Sequence, residues 1–387
     1  MRKSSGSNRT AHSRTLKIMS PTRQKAAKKN YFAGILNPSM FADVRCPERL
    51  KPQELDDYLS GGWFRMGQTI FTTNFLNFKD RIYSAIWLRV VLDRFHGDST
   101  QDKLFKKNAG FRTEIGPATL TPEKEALFFR YRQSISFEPS PSLNHLLYGK
   151  SLQPTIYDTY EVAVYDDDKL IALGFFDIGE ISAEGIISVY DPDYKKYSLG
   201  RYLIYQKIHY CQQIGMRHFY PGYFVPGYPY FDYKLAIARS ALEYLQLSSD
   251  YWRPMSDFKA EEHIPVEIMH ARLQNLQRLL DSHHVPGRLM QYAYFDANQM
   301  PDLMGAELFD YPVFLYCHEE VDDNLGSFIV FDVRDGLYHW VRCMSAWTPE
   351  TMPQIPDNFY CRHLLKTLLV LFSTDDPWKM TAALANG

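Results

Sequence analysis

Residues 184–234 read EGIISVYDPDYKKYSLGRYLIYQKIHYCQQIGMRHFYPGYFVPGYPYFDYK, and the order of elements within them decides the fold. Residues 186–190 are β-branched and aromatic, the composition of a strand. Asp191-Pro192-Asp193 stops that strand, because proline has no N–H for a ladder and aspartate favours turns. Ser198 is placed to cap a helix whose apolar series runs through Ile204, Ile208 and Cys211, and Gly215 stands where a C-terminal cap glycine belongs. Residues 217–225 return as a second strand, closed by Pro226-Gly227. A helix beginning at Leu199 aims its free backbone N–H groups at whatever lies over Ser198, Leu199 and Gly200, which makes an anion site. Gly200 has no Cβ to hold a phosphate off the backbone. The same residues also fit an ordinary strand–helix–strand unit with a tyrosine-rich surface, since a short glycine-containing loop is a weak motif.

Working outward, residues 160–165 and 169–177 form two strands around the turn Asp166-Asp167-Asp168 and run into the strand at Ile186. A three-strand antiparallel meander, then helix, then strand resembles the central pattern of the GNAT-type acyltransferase fold. In that fold two neighbouring strands splay and leave a groove for the acyl donor. The expected class is α/β (α+β), with a GNAT-like core on a mixed central sheet. The expected division is a disordered basic tail over 1–42, an N-terminal α+β part over 43–137, the GNAT-like domain over 138–258, and a smaller C-terminal α+β module over 259–387. Further strands are expected over 69–75, 82–92, 311–317, 327–333 and 338–344. Helices are expected over 53–58, 102–108, 122–134, 235–247, 261–282 and 362–372. Residues 1–30 are basic and free of acids, and read as a solvated tail or as sequence ahead of a true start at Met19 or Met40, with an RNA-contacting arm and a transit peptide as the other readings.

A chain of 387 residues has room for two or three domains with real cores. Its net charge of -2 excludes a polycation that seeks nucleic acid along its whole surface. Contact with RNA then falls to local patches such as Lys103, Lys106, Lys107 and Arg112, which also read as a solvated helix face. Cys46, Cys211, Cys317, Cys343 and Cys361 are scattered without a CxxC pair, so neither a metal site nor a cofactor is signalled. That usage fits a reducing, cytoplasmic compartment. The most apolar run, 368–372, is far too short to span a bilayer, so no membrane partner is expected. The 27 tyrosines suggest surfaces that stack on planar groups. The acidic run 319–323 reads as a solvated loop.

Four blocks carry a more specific resemblance: Ser188-Val189-Tyr190-Asp191-Pro192-Asp193, Ser198-Leu199-Gly200-x-Tyr202, Tyr220-x-Gly222-Tyr223 and Tyr233-Lys234. Upstream, Trp63-Phe64-Arg65-Met66-Gly67-Gln68, Leu104-Phe105-Lys106-Lys107-Asn108 and Leu127-Phe128-Phe129-Arg130-Tyr131 join them. In this order and spacing they resemble the arginyl-tRNA–protein transferases and their bacterial leucyl-transferring relatives, over about 53–253. The chain departs from that pattern in lacking the family's N-terminal cysteines and in having Tyr230-Phe231 for a Lys-Met pair. It also has Pro221 for a leucine and Gly67 for a serine.

The resemblance implies transfer of an amino acid, arginine first and leucine next, from the acceptor end of a charged tRNA to the N-terminal α-amine of an acceptor protein. The donor is already an activated ester, so alignment supplies much of the rate, with effective molarities on the order of 10⁵ M. An α-amine of pKa about 8 needs only light general-base help. Tyr190, Asp191, Asp193 and Tyr223 are the expected catalytic set, the aspartates pairing with an amine or serving only as turn residues. Ser198, Leu199, Gly200 and Arg201 would hold the terminal phosphate, with Lys234 beside them. Tyr202, Tyr220, Gly222 and Tyr233 complete the donor site, with Tyr202, Tyr220 and Tyr223 stacking on or hydrogen-bonding the terminal adenosine. Arg65 and Gln68 would grip the acceptor. An acyl-CoA-dependent acyltransferase and a catalytically silent binding module are the competing readings. The first lacks a Gly-x-Gly pyrophosphate loop here.

Overall fold

The computed structural model describes residues 40–135, 140–149, 155–319, 325–347, 359–360 and 364–386. The described chain opens with β1 (Ala42–Arg45), α1 (Pro52–Ser60), β2 (Phe64–Met66) and β3 (Thr69–Thr73), the three strands forming a small antiparallel sheet. A hairpin of β4 (Phe75–Phe78) and β5 (Arg81–Ser84) follows. Next come β6 (Ile86–Val91), α2 (Ser99–Asn108), β7 (Arg112–Pro117), α3 (Pro122–Gln133) and α4 (Leu143–Tyr148). The meander β8 (Thr159–Asp166), β9 (Lys169–Ile178) and β10 (Ser182–Tyr190) leads into α5 (Leu199–Gln213), β11 (His218–Phe224), β12 (Leu242–Gln246) and β13 (Tyr251–Pro254). Strands β6 to β13 make one mixed sheet in the order β13-β12-β6-β11-β10-β9-β8-β7. Thus β6 and β7, both ahead of residue 138, are strands of the same sheet as the meander.

The sheet is covered on both faces. Ile171, Ala172 and Phe176 of β9 pack with Leu199, Leu203 and Ile208 of α5. Leu170, Leu173 and Phe175 pack under Leu127 and Phe128 of α3 and Leu143 and Leu147 of α4. Two covered faces explain why β9 reads as a continuous apolar run instead of an alternation.

Among the described strands of this sheet, β10 and β11 are the parallel pair. Their pairing covers only Ser182–Glu184 against His218–Tyr220, although β10 continues to Tyr190 and β11 to Phe224. The strands part where each carries an irregularity: β10 shifts register against β9 between Gly185 and Ile187, and β11 shifts against β6 between Phe219 and Gly222. Such bulges bend a strand and raise its local twist. Pro221 sits in the second one, where its missing N–H costs no ladder bond, and Gly222 takes the positive φ of 86° that the bend needs. Meander, helix and a strand that splays away are the GNAT-like arrangement.

The C-terminal part places α6 (Pro265–Ser282) and α7 (Pro377–Asn386) with a six-stranded sheet. That sheet comprises β14 (Arg288–Tyr292), β15 (Val313–Glu319), β16 (Leu325–Asp332), β17 (Leu337–Trp347), β18 (Phe359–Tyr360) and β19 (Leu364–Thr374).

Several elements differ from expectation. Residues 235–247, read as a helix, hold the end of a 3-10 stretch (Pro229–Ala236) and then β12, buried between β6 and β13. A short apolar run suits a buried helix and a central strand equally, and the neighbouring strands decide. The expected helix over 362–372 is the edge strand β19, which pairs with β17, its first two residues lying outside the described part. Residues 251–254 form the edge strand β13. The strand over 82–92 is divided at Ala85, whose amide donates to the Asn74 carbonyl. The basic tail stops short of 42: Phe41 and Ala42 are buried, the Phe41 amide donates to Asp310, and its ring meets Phe75 edge-on at 5.1 Å. Residues 1–39 and the acidic run over 320–323 lie outside the described residues.

Candidate active site

The parting of β10 and β11 opens a cleft of about 540 Å³. Its apolar lining comes from Ile186, Ile187, Ile204, Phe219 and Pro221, and Tyr131, Tyr190, Tyr230 and Tyr233 add aromatic rings. Polar groups enter from Ser188, Ser198, Arg201, Lys207 and Lys234. No aspartate or glutamate is among the described residues that line it.

Helix α5 starts at this cleft. Ser198 precedes it with a left-handed backbone, φ 55° and ψ 41°, and its side chain makes no capping bond. An N-cap side chain reaches the first-turn amides from an extended backbone, and Ser198 is instead the residue that turns a 3-10 stretch (Pro192–Tyr197) into the helix. The expected serine cap is therefore not formed. The amides of Arg201 and Tyr202 donate to the Ser198 carbonyl at 3.1 Å each, so those of Leu199 and Gly200 precede the helical ladder. Gly200 lines the cleft, and a Cβ added there would lie 3.5 Å from the Tyr190 ring, an ordinary contact.

A buried lysine, Lys207, and a half-buried one, Lys234, face the cleft. Lys207 projects from α5 beneath β9 and β10, where its Nζ donates to the carbonyls of Phe175 at 2.8 Å and Ile187 at 2.7 Å and lies 3.2 Å from Ser188 Oγ. Gly174 makes room for it: a Cβ there would fall 2.8 Å from Lys207 Cε. Burial lowers the Lys207 pKa to about 7. Lys234 Nζ donates to the Tyr223 carbonyl at 2.8 Å and sits 5.3 Å from the Phe231 ring centroid, and burial lowers it to about 7 as well. Burial also pushes Tyr131 up to about 12, with Tyr230, Tyr190 and Tyr233 adding to the shift.

Of the residues singled out from the sequence, Tyr190, Ser198, Gly200, Arg201, Tyr233 and Lys234 meet at the cleft. The others serve the fold. Asp191 is buried and held by Lys169 at 2.9 Å, Arg130 at 3.4 Å and the Asp193 amide at 3.1 Å. Burial alone would raise its pKa, but these partners outweigh it and keep the carboxylate lowered. Asp193 is an exposed residue of the 3-10 stretch Pro192–Tyr197. Leu199 and Tyr202 lie on the core face of α5, the Tyr202 hydroxyl sharing a 3.2 Å bond with Thr113. Tyr220 is buried between Phe64 and Trp252, and Tyr223 stands edge-on to Trp87 at 4.9 Å. Gly222 supplies the bend.

Arg65 and Gln68 are also kept inside the protein. The Arg65 guanidinium pairs with Asp177 at 2.8 Å and bonds Thr159 and the carbonyls of Gly67 and Leu147. Gln68 bridges the Leu147 carbonyl and the Ile156 amide. Sequence reasoning missed Ser188, Lys207, Tyr131 and Tyr230 as cleft residues. For Lys207 a signal exists, because it falls on the apolar stripe of Ile204, Ile208 and Cys211, where a solvated lysine has no place.

A splayed parallel pair, a bare helix terminus and an apolar groove with buried amines define an acyl-group transferase of the GNAT-like class. A family model described as "Arginine-tRNA-protein transferase, C terminus" matches residues 123–243. The aspartate/glutamate leucyltransferase of Leptospira interrogans is 30% identical over 217 residues, covering 55% of this chain and 83% of the relative. The enzyme of that name from Campylobacter jejuni (strain RM1221) is 23% identical over 193 residues, 49% of this chain and 77% of the relative. This chain belongs to the family of arginyl- and leucyl-transferring aminoacyl-tRNA–protein transferases, and it is an aminoacyltransferase. Solved structures give only distant likenesses. FemX has a TM-score of 0.28 at 10% identity, covering 53% of this chain and 68% of that one. A lysylphosphatidylglycerol synthetase C-terminal domain from Agrobacterium fabrum has 0.29 at 13%, covering 46% and 53%. No helix among the described residues is long and apolar enough to cross a membrane.

Proposed function

We propose that the cleft takes the aminoacylated 3′ end of a charged tRNA and passes leucine to the N-terminal α-amine of a protein beginning with Asp or Glu. The carrying observation is the lining: isoleucines and aromatic rings, three basic side chains and no carboxylate among the described residues. A leucyl side chain gains from such a surface, at roughly 25 cal/mol per Å² of apolar area covered. An arginyl side chain would bring a further positive charge next to Arg201, Lys207 and Lys234, with no carboxylate among the described lining residues to pair with it. Arginine, first in the reading of the sequence, therefore gives way to leucine. The names of the relatives supply the acidic acceptor.

The terminal phosphate meets the amide of Gly200 with Arg201 beside it, where the helix dipole favours an anion. Tyr190, Tyr131, Tyr230 and Tyr233 give the adenine ring faces to stack on. The ester carbonyl then lies along the unpaired edge of β10, and the incoming amine attacks it from the open side. A charged tRNA as donor fits a reaction in the cytoplasm. The test is transfer of labelled amino acid from a panel of charged tRNAs to peptides that begin with Asp, Glu or Ala. Labelled leucine on the Asp and Glu peptides is expected. Arginine transfer without leucine transfer would reverse the choice of amino acid, and silence with every charged tRNA would overturn the whole reading.

A further inference from the structure

We propose that Ser188 and Lys207 form a proton relay at the floor of the cleft, Ser188 taking the proton of the attacking α-amine while handing its own to Lys207. The inference rests on the reading of the cleft as the transfer site. It stands on the bonding of one amine. Lys207 Nζ has three neighbours, the carbonyls of Phe175 and Ile187 at 2.8 and 2.7 Å and Ser188 Oγ at 3.2 Å. A neutral amine has two hydrogens and one lone pair. Carbonyls only accept, so they take the two hydrogens, and the lone pair is left for the one neighbour able to donate, the Ser188 hydroxyl. An ammonium in the same place gives its three hydrogens to the same three oxygens. Both protonation states are thus fully hydrogen-bonded without rearrangement, which is what a relay requires. Gly174 reserves the space, since a Cβ there would fall 2.8 Å from Cε and 3.0 Å from Nζ.

The charged surroundings leave the amine free to change state. Cys211, one turn along α5, is a buried thiol pushed up to about 12 and stays neutral. Asp177 on β9 is committed to Arg65 at 2.8 Å. Lys234, Arg201 and the tyrosines line the same cleft, with no carboxylate among its described lining residues. Burial, which brings Lys207 to about 7, lets both forms coexist near neutrality.

In the step itself the amine nitrogen bonds to the ester carbon and the carbonyl π pair moves to oxygen. One proton leaves the resulting ammonium for Ser188 Oγ as the Ser188 proton passes to Lys207 Nζ. When the tetrahedral intermediate collapses, the bond to the ribose oxygen breaks and that oxygen takes a proton back through Ser188. An amide and a free ribose hydroxyl remain, and Ser188 and Lys207 regain their starting states.

The experiment follows single-turnover transfer of labelled leucine from charged tRNA between about pH 6 and pH 9, with two acceptor peptides whose α-amines titrate differently. The full-length wild type is compared with Ser188→Ala, Ser188→Thr, Lys207→Met and Lys207→Arg, and charged-tRNA binding is measured in parallel. Ser188→Ala, Lys207→Met and Lys207→Arg are each expected to slow transfer by about 10²-fold or more, with charged-tRNA binding unchanged. Ser188→Thr keeps the hydroxyl and is expected to transfer normally. The wild-type rate should fall on the acid side at the same pH for both peptides, and that limb should vanish in Ser188→Ala. Should Lys207→Met not fold, Ser188→Ala, which removes a single oxygen, still decides. Wild-type speed and an unchanged limb in Ser188→Ala would overturn the relay, as would a limb that follows the peptide amine. A leucyl ester trapped on Ser188 would make it a nucleophile and overturn the relay too. Each of these leaves the transferase reading standing, whereas no transfer by the wild type removes both.

Discussion

Arg65 carries a charge that never reaches solvent. Its side chain is 2 % exposed and that of Asp177 is 0 %, and its guanidinium lies 4.4 Å from the Tyr157 ring centroid. Glu184 joins them, its side chain accepting from the Arg65 amide at 3.3 Å; burial and then the Asp177 charge push its pKa well up. This cluster ties β2 to β9 and β10 at the closed end of the splay. Removing one partner strands a buried charge, so Arg65→Met and Asp177→Asn should each cost about 3–5 kcal/mol in urea unfolding. Replacing both by apolar residues should recover much of that loss. If either single change leaves the unfolding midpoint where it is, the pair does not hold the strands together.

At the level of the element, α5 does two jobs with opposite faces. Its core face carries Leu199, Leu203, Ile208 and Cys211, while its first turn lies open at the cleft. Stability and binding can therefore be separated at Gly200. An aspartate in the first turn favours the helix dipole, and the added Cβ makes only an ordinary contact with Tyr190. Gly200→Asp should melt at or above the wild-type temperature yet bind charged tRNA about tenfold more weakly, a loss of ~1.4 kcal/mol. Equal binding in a filter assay would mean that no phosphate sits there.

On the scale of the whole molecule, two ammonium groups are held where water is scarce. Lys207 and Lys234 are both lowered to about 7, against 10.5 in the unfolded chain. Above pH 7 the unfolded state binds more protons at these sites than the folded one, so their contribution to stability rises with pH. Below pH 7 both states are charged and the burial penalty is felt in full. The melting temperature of the wild type should therefore climb more steeply between pH 7 and pH 8.5 than that of Lys207→Met. The buried thiols of Cys211, Cys317 and Cys343, all pushed up to about 12, act in the opposite sense at higher pH. Parallel melting curves for wild type and variant would show that Lys207 does not change its proton on folding.

What the sequence by itself determined was the local order: a meander turned by Asp166-Asp167-Asp168 and stopped at Asp191-Pro192-Asp193, a helix from Leu199, and a returning strand. Those signals are local, because turns, proline stops and β-branched runs act within a few residues. The motif blocks placed the chain in its family for the same reason. Only the tertiary structure decided that residues 242–246 and 364–374 are strands, since their apolar runs take their form from the strands beside them. It alone decided that Tyr220 and Arg65 belong to the interior and that Lys207 meets Ser188. A side chain's partners depend on register and bulges: Arg65 finds Asp177 across 112 residues of chain, and no local pattern records such a meeting.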